Sequence, residues 1–340
     1  MKNYTRIKKT YQAISQAITL GIFLAGCSFN SSTAQPTQLS TLSSFTYWCL
    51  NQQYLTADAR YTVEVLLKKA RTKNCERANE NLSLMRELDL RDVHILDLRP
   101  LSTLTNLRHL TIDCINLIDL KPLTSLINLT YLDLDGCTIM SGYSYLEELT
   151  HLTYLNLSGT QIRDLKPLTS LVNLTELQIS TNNISDLSPL SKLTNLTYLD
   201  LGNNHAVTDF TPISSLTNLT RLDLGHTLIS DLNSLKPLTK LTDLIAGGNY
   251  KISDLSPLAH LTNLTYLNLR FNNISDVTPL KSLVKLNRLY LFQNKISDIS
   301  SLSSLTNLAE LDVLDNPIPN ETCPVNPQNI CRFGKFYDPH

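Results

Sequence analysis

Leucine recurs along this chain with a period of 22 or 23 residues, and this period constrains the fold more than any other feature. Such periods are typical of solenoids, in which each repeat unit contacts only its neighbours. One unit cannot bury its own leucines, so the units must stack and both ends of the stack must be covered. The pattern predicts eleven strand starts, at Leu88, Leu110, Leu132, Leu155, Leu177, Leu199, Leu222, Leu244, Leu267, Leu289 and Leu311.

The unit that begins at Leu177 indicates how one coil folds. Leu177 and Ile179 alternate with polar residues, which predicts a short strand with its apolar side chains turned inward. Apolar residues then return at three-residue spacing over 184–196, which predicts a 3₁₀ or extended segment on the way back. Asn182 occupies the sixth position, where a buried amide can hydrogen-bond the backbone of adjacent coils.

Two polar columns accompany the leucines. The sixth position holds asparagine mainly toward the C-terminal half, which predicts an asparagine ladder there, whereas Ile115 and Cys137 occupy it in earlier coils. An aspartate precedes the return segment in nearly every coil, as Asp186 does here. Its regularity favours a turn or cap role over metal binding.

This unit resembles the leucine-rich repeat, specifically the 22-residue internalin-like class, over about 230 residues. The resemblance implies an α/β solenoid, a horseshoe with a parallel β-sheet on its concave face and short 3₁₀ or extended convex segments. Repeats would span 88–316. We expect a helical N-terminal cap over 45–87, with Thr56 as a possible N-cap, and a C-terminal cap over 317–340.

The N-terminus carries the pattern of a secretory signal over 1–26, because basic residues precede an apolar run at 17–24. Leu24-Ala25-Gly26-Cys27 follows at once and resembles the bacterial lipobox. Cys27 would then be the lipidated, palmitate-type anchor, attached to a membrane without spanning it. Ser28 after the lipid site favours the outer membrane. The protein would thus be extracytoplasmic, in the cell envelope.

Residues 27–44 are rich in serine and threonine and carry no charge, which predicts a flexible tether. Cleavage of the signal removes four of 29 basic residues against 30 acidic ones, leaving a net charge of −5. Nucleic acid is therefore excluded as an expected partner.

The remaining six cysteines suit disulfides in an exported protein. The spacing favours Cys49 with Cys75 and Cys323 with Cys331. Cys114 and Cys137 lie near each other on neighbouring coils but at different repeat positions. A bridge and a buried Cys137 in the asparagine position both remain open for that pair.

No residue constellation indicates catalysis. The seven histidines fall at unrelated repeat positions without metal-ligand spacing, and no phosphate-binding loop is present, since 247–251 indicates a widened turn instead. We therefore expect no enzyme activity, no cofactor and no metal.

The outward strand positions are the predicted ligand-binding face. Tyrosine and arginine supply large contact area with polar ends, and these types dominate interface energetics. Acids toward the N-terminal strands and arginines toward the C-terminal strands predict a face with two oppositely charged ends. The predicted binding residues are Tyr131, Asp133, Tyr154, Tyr198, Asp200, Arg221, Asp223, Tyr266, Arg270, Arg288, Tyr290 and Phe292.

Two functions are compatible with these features. The first is a membrane-tethered module that binds a protein or peptide on its concave face. The alternative is a structural or adhesive envelope protein that binds glycan or cell-wall polymer, for which exposed aromatics without charge pairs would be expected.

Overall fold

Twelve short parallel strands form one open sheet in chain order in the computed structural model, which describes residues 44–335. The predicted signal peptide, Cys27 and nearly all of the tether lie outside the described residues. The strands β1 to β12 span Glu87–Leu90, His109–Ile112, Tyr131–Asp133, Tyr154–Asn156, Glu176–Gln178, Tyr198–Asp200, Arg221–Asp223, Asp243–Ile245, Tyr266–Asn268, Arg288–Tyr290, Glu310–Asp312 and Cys331–Arg332.

Short 3₁₀ helices form the convex side of each coil between consecutive strands. Proline fits at their first turn because the N–H that it lacks needs no helical partner there. The ten convex segments span Arg99–Thr103, Lys121–Ser125, Tyr143–Glu148, Lys166–Leu168, Ser188–Lys192, Thr211–Ser215, Asn233–Leu235, Ser256–Leu258, Thr278–Ser282 and Ser300–Ser304. The fold class predicted from the repeat is thereby confirmed.

The aspartate column caps these segments. Asp186 Oδ1 accepts a hydrogen bond from the backbone N–H of Ser188 at 2.8 Å, and Asp276 accepts one from Thr278 in the same way. This bond lowers the pKa of Asp186, because it stabilises the ionised carboxylate. The predicted turn role of the aspartates is confirmed.

Three helices and a short 3₁₀ turn, Gln52–Tyr54, cover the first coil. They are α1 (Phe45–Leu50), α2 (Ala57–Lys69) and α3 (Cys75–Ser83). Thr56 Oγ1 accepts a hydrogen bond from the N–H of Ala59, as expected of an N-cap. A disulfide between Cys49 and Cys75 ties α1 to the start of α3 across the loop that contains α2.

The leucines and isoleucines of successive coils form one continuous core, and nearly all of them are fully buried. The asparagine ladder runs beside this core. Asn204 Nδ2 donates to the backbone carbonyls of Ile179 and Leu201 at 2.9 Å each, and its Oδ1 accepts from the N–H of Ile184. Where threonine replaces asparagine, as at Thr227, its hydroxyl bonds only within its own coil or to the next ladder residue. The ladder thus satisfies buried backbone groups of neighbouring coils.

Two further ladders, one of asparagine and one of threonine, explain the triplet Asn-Leu-Thr, which recurs in several repeats. Asn195 Nδ2 donates to the carbonyl of Val172, one coil earlier, at 2.9 Å. Thr197 Oγ1 donates to the carbonyl of Thr175 at 3.0 Å. The triplet therefore serves the contact between coils, and its side chains are already engaged.

Three coils contain 23 residues, and their extra residue does not disturb the sheet. Leu199 pairs with Leu222 and Leu244 pairs with its counterpart one coil later in the same register as in the 22-residue coils. The insertion is taken up between strands, for example near Tyr250, which has a positive φ of 62° and is 61% exposed.

A third disulfide joins Cys114 to Cys137, with the Cα atoms 4.8 Å apart, which answers the question that the sequence left open. Both cysteines are buried, so the chain turns Cys114 inward one position earlier than the ladder requires. Ile115, which the repeat pattern places at the ladder position, is therefore 58% exposed. The bridge replaces the missing asparagine as the link between these coils.

The C-terminal cap contributes the last strand. Residues 331–332 pair in parallel with Leu311 and Asp312 of β11, after a 3₁₀ turn at Gln328–Ile330. A disulfide between Cys323 and Cys331 closes this end, as predicted. Within 44–335 no helix combines the length and the apolar character needed to cross a membrane.

We predict that Asn204→Ala lowers the free energy of unfolding by about 2–4 kcal/mol, because it leaves buried backbone groups of two coils without partners. Asn183→Ala is the matched control. Asn183 directly follows the ladder residue of the neighbouring coil and is exposed. It should change stability by less than about 0.5 kcal/mol. Urea unfolding measures both, and equal effects would contradict the role given to the ladder.

Candidate functional site

Three outward positions per strand build the concave face: the residue before the first strand leucine, the residue after it, and the one two places further on. The parallel register aligns these positions into columns across the sheet. All twelve residues predicted for the binding face fall in these columns. The structure therefore brings them onto one surface, although contacts form only within smaller groups.

Tyr131 and Tyr154 form the first group, on β3 and β4. Their rings stack with centroids 4.0 Å apart and planes 6° apart. The hydroxyl of Tyr154 accepts a hydrogen bond from Gln178 on β5 at 3.0 Å, and burial raises the pKa of that hydroxyl. Asp133 lies beside this stack, where burial raises the pKa of its carboxyl. Gln178 on β5 thus holds the pair on one side, and the ring of His109 on β2 contacts Tyr131 edge-on from the other, with centroids 5.5 Å apart.

Tyr198 and Arg221 form the second group, on β6 and β7. The guanidinium carbon of Arg221 lies 4.6 Å from the centre of the Tyr198 ring, within the range of a cation–π contact.

Arg270 organises the third group, on β9 to β11. Its Nη2 lies 2.7 Å from Oδ2 of Asp312, which is only 3% exposed, and its guanidinium carbon lies 4.2 Å from the ring centre of Tyr290. The Tyr290 hydroxyl donates to Glu310 at 2.7 Å, and burial together with this bond raises its pKa to about 12. The guanidinium of Arg270 is therefore held by contacts within the fold.

Phe292, Tyr266 and Arg288 complete the set near the C-terminal strands. Phe292 packs edge-to-face on Phe271, with centroids 4.9 Å apart. Tyr266 lies 5.5 Å from Tyr290, and Arg288 is exposed on the strand next to it. The neighbours Asp312, Glu310 and Phe271 were missed by sequence reasoning, because their partners lie one or two coils away.

Asp200 and Asp223 lie side by side on β6 and β7, at the edge of a cleft of about 350 Å³. Glycines occupy the fourth position of three consecutive coils at its floor, and we call this cleft the trough. Sequence reasoning missed these glycines, although Asp-Leu-Gly recurs at one repeat position and could have indicated them. The floor residues are Gly202, Gly225 and Gly247.

Each aspartate of the trough is fixed by one backbone bond. Asp200 Oδ1 accepts from the N–H of Gly202 at 2.9 Å, and Asp223 Oδ1 accepts from the N–H of Gly225 at 2.8 Å. Burial nevertheless raises the pKa of Asp223 to about 6. At neutral pH the trough therefore holds a carboxylate that its surroundings stabilise poorly.

Charge on the concave face is uneven, and negative charge dominates β1 to β8. We call this the acidic stretch. Two arginines oppose its acids: Arg91 pairs with Asp89 at 2.6 Å, and Arg221 lies over a tyrosine ring. The predicted positive end is weaker than expected, because Arg270 is paired with Asp312. The nine acids of the stretch are Glu87, Asp89, Asp113, Asp133, Asp135, Glu176, Asp200, Asp223 and Asp243.

Metal-ligating side chains do not converge in the part of the chain that the structure describes: across 44–335, no three histidine, cysteine or acidic residues gather into a possible metal site. The face offers hydrogen-bond acceptors, aromatic rings and a few cations, which is the chemistry of recognition.

Known proteins share this architecture. A family model described as leucine rich repeats (2 copies) matches residues 150–192, 172–214, 194–237 and 239–282. The crystal structure of an internalin from Listeria monocytogenes (inlF) is 30% identical, with a TM-score of 0.66, and the alignment covers 83% of this chain and 95% of the internalin. The chain belongs to the internalin-type leucine-rich repeat proteins.

A second internalin agrees with this assignment. Internalin C2 from Listeria monocytogenes is 35% identical with a TM-score of 0.51, over 57% of this chain and 84% of that protein. No curated protein matches the chain in sequence. Internalin-type repeat proteins typically mediate protein–protein interactions and are secreted or exposed at the cell surface. Three disulfides in the described part of this chain are typical of an extracellular protein.

We predict that Asp223→Asn raises the free energy of unfolding at pH 7.5 by about 1–2 kcal/mol. The pKa of Asp223 is raised from 3.8 to about 6 in the folded protein, so the fold favours the protonated carboxyl. Stability from this group is present below pH 3.8 and is lost as the pH rises through 6. Asparagine keeps an oxygen for the N–H of Gly225 and carries no charge.

Thermal melts between pH 4 and 8 test this prediction. The gap between variant and wild type should close as the pH falls toward 4. Asp186→Asn is the control of opposite sign, because the pKa of Asp186 is lowered and its ionised form supports the fold. A gap at Asp223 that is constant over the whole pH range would contradict the assignment.

Proposed function

We propose that this protein is a membrane-tethered, extracytoplasmic binding module that recognises a protein or peptide on its concave face. The observation that carries the proposal is the order of the aromatic and charged groups there. Tyrosines of four strands are held by stacking or by arginine before any ligand arrives. Preordered side chains on a rigid sheet reduce the entropy lost on binding.

Ring contacts favour a protein over a glycan as the ligand. Sugars stack on open aromatic faces, whereas Tyr131 and Tyr154 each occupy one face of the other ring and arginines occupy one face of Tyr198 and of Tyr290. The exposed Arg288 and the acidic stretch instead offer charges for a protein surface. The glycan-binding or structural envelope role is therefore the weaker alternative. Negative charge also disfavours nucleic acid.

Concave tyrosines should carry binding energy. Replacing Tyr198 and Tyr266 by alanine should weaken the affinity for the partner at least tenfold, which is about 1.4 kcal/mol or more. Tyr54→Ala with Tyr61→Ala is the matched control, since both tyrosines are exposed on the N-terminal cap. Arg270 is left intact because its loss would strand buried Asp312.

The partner for this measurement is identified by photocrosslinking in native membranes. A benzophenone side chain at position 288, on the concave face, should give a discrete adduct, while one at position 192, on the convex side, should not. Adducts from position 192 alone, or affinity lost only in the cap control, would refute concave binding.

The membrane tether rests on Cys27. We predict that Cys27→Ser abolishes lipidation and moves the protein from the membrane fraction to the soluble fraction, because the acyl chains supply the anchoring free energy. Ser28→Asp is the companion variant: it should keep the lipid and shift the protein from the outer to the inner membrane. Palmitate labelling and detergent-phase partition measure both. Equal partition of Cys27→Ser and wild type would rule out the anchor.

A further inference from the structure

The residues that the structure describes leave the trough open. Glycine at the fourth position of three successive coils leaves open the space that side chains fill elsewhere on the face. A Cβ added to Gly225 would lie 3.1 Å from Oδ1 of Asp223, and one added to Gly202 would lie 3.2 Å from Oδ1 of Asp200. Any larger residue would therefore push against the carboxylates. The glycines keep both carboxylates accessible from the concave side.

Oxygen atoms lie on two sides of this space, which His226, Ile245 and Arg270 also line. The aspartate pair lies along one side, and Oδ1 of Asn268 lies within 3.1 Å of the position that a Cβ of Gly247 would take. Asp200 and Asp223 each accept one hydrogen bond from backbone N–H groups, which leaves most of their lone pairs unused. Within 44–335, no lysine or arginine nitrogen lies within 4.0 Å of either carboxylate.

The nearest cations are engaged elsewhere. Arg221 shares strand β7 with Asp223, yet its guanidinium lies over the ring of Tyr198. Arg270 lines the far side of the trough, and its guanidinium is paired with Asp312. Within 44–335, no guanidinium therefore pairs directly with either trough carboxylate, and the charge of Arg221 offsets only part of the effect of burial on the pKa of Asp223.

The strands on both sides of the trough also carry acidic residues. The acidic stretch continues on both sides along β1 to β8, with Glu176 on the preceding strand and Asp243 on the following one. A ligand that lies along these strands meets net negative charge over most of its length. Such a surface complements a positively charged partner and disfavours an acidic one.

We propose that the trough receives a lysine or arginine side chain from a basic segment of the protein partner. This inference rests on the proposed function and specifies the chemistry of the ligand. Neighbouring parallel strands lie about 4.8 Å apart, so one guanidinium or ammonium group can bond to the carboxylates of both strands at once. An unpaired carboxylate at Asp223 destabilises the fold of the free protein. A bound cation would relieve this destabilisation, as is common at binding sites.

The probe is a fluorescein-labelled peptide of twelve residues that alternates arginine and serine, measured against the full-length mature protein by fluorescence anisotropy. Its matched partner has citrulline at every arginine, which keeps the shape and removes the charge. The arginine peptide should bind at 50 mM NaCl and weaken at 300 mM, because salt screens the attraction. The citrulline peptide should not bind.

Variants locate the site. Asp200→Asn combined with Asp223→Asn should weaken binding of the arginine peptide at least tenfold, and the variant should stay folded because asparagine keeps an acceptor for each glycine N–H. Asp133→Asn with Asp135→Asn removes two charges from the same face outside the trough. Glu147→Gln with Glu148→Gln removes two from the convex side, where both are exposed. Both controls should retain affinity within about threefold.

Each contrary result has a defined meaning. Equal losses in all three double variants would reduce the effect to general charge attraction and overturn the trough assignment, as would equal binding of the citrulline peptide. The crosslinked adduct from position 288 separates this inference from the proposed function. An adduct that forms normally in the Asp200/Asp223 variant refutes the trough but keeps the concave site, whereas no adduct in wild type refutes the concave site itself.

Discussion

Each coil of this protein depends on its neighbours both for its apolar contacts and for its hydrogen bonds. The leucines of one coil are buried only because the next coil covers them, and buried backbone groups are satisfied by the asparagine and threonine side chains that reach across. The end coils lack a neighbour, and there disulfide-linked caps complete the stack. The rigid concave sheet, and therefore the placement of its tyrosines and charges, follows from this mutual dependence.

Sequence periodicity predicts most of this fold because it is set by local spacing. Strand starts and the turn role of Asp186 are encoded within one or two repeats, and the disulfides of the caps join cysteines only 26 and 8 positions apart. The Cys114–Cys137 bridge was only half predictable, since the chain must turn Cys114 inward and expel Ile115 to form it. The repeat pattern of one sequence does not predict such a local rearrangement of the backbone.

The candidate site was predicted as a surface but not as a set of contacts. Alternation along each strand shows which residues point outward, so all the predicted binding residues share one face. It does not show that Arg270 reaches Asp312, because these residues are 42 positions and two strands apart. The glycine floor was missed for another reason: a residue without a side chain gives no binding signal, although its absence shapes the trough.

Coils of 22 and 23 residues keep the same strand register, since the extra residue lies between strands. Chain length within a coil is therefore decoupled from distance along the face, which advances by one strand spacing of about 4.8 Å per coil. The position of a residue along the face is therefore set by the number of coils before it. Duplication or loss of one coil would lengthen or shorten the face by one strand spacing and leave the side chains of every other coil unchanged, so ligand size can evolve separately from ligand recognition.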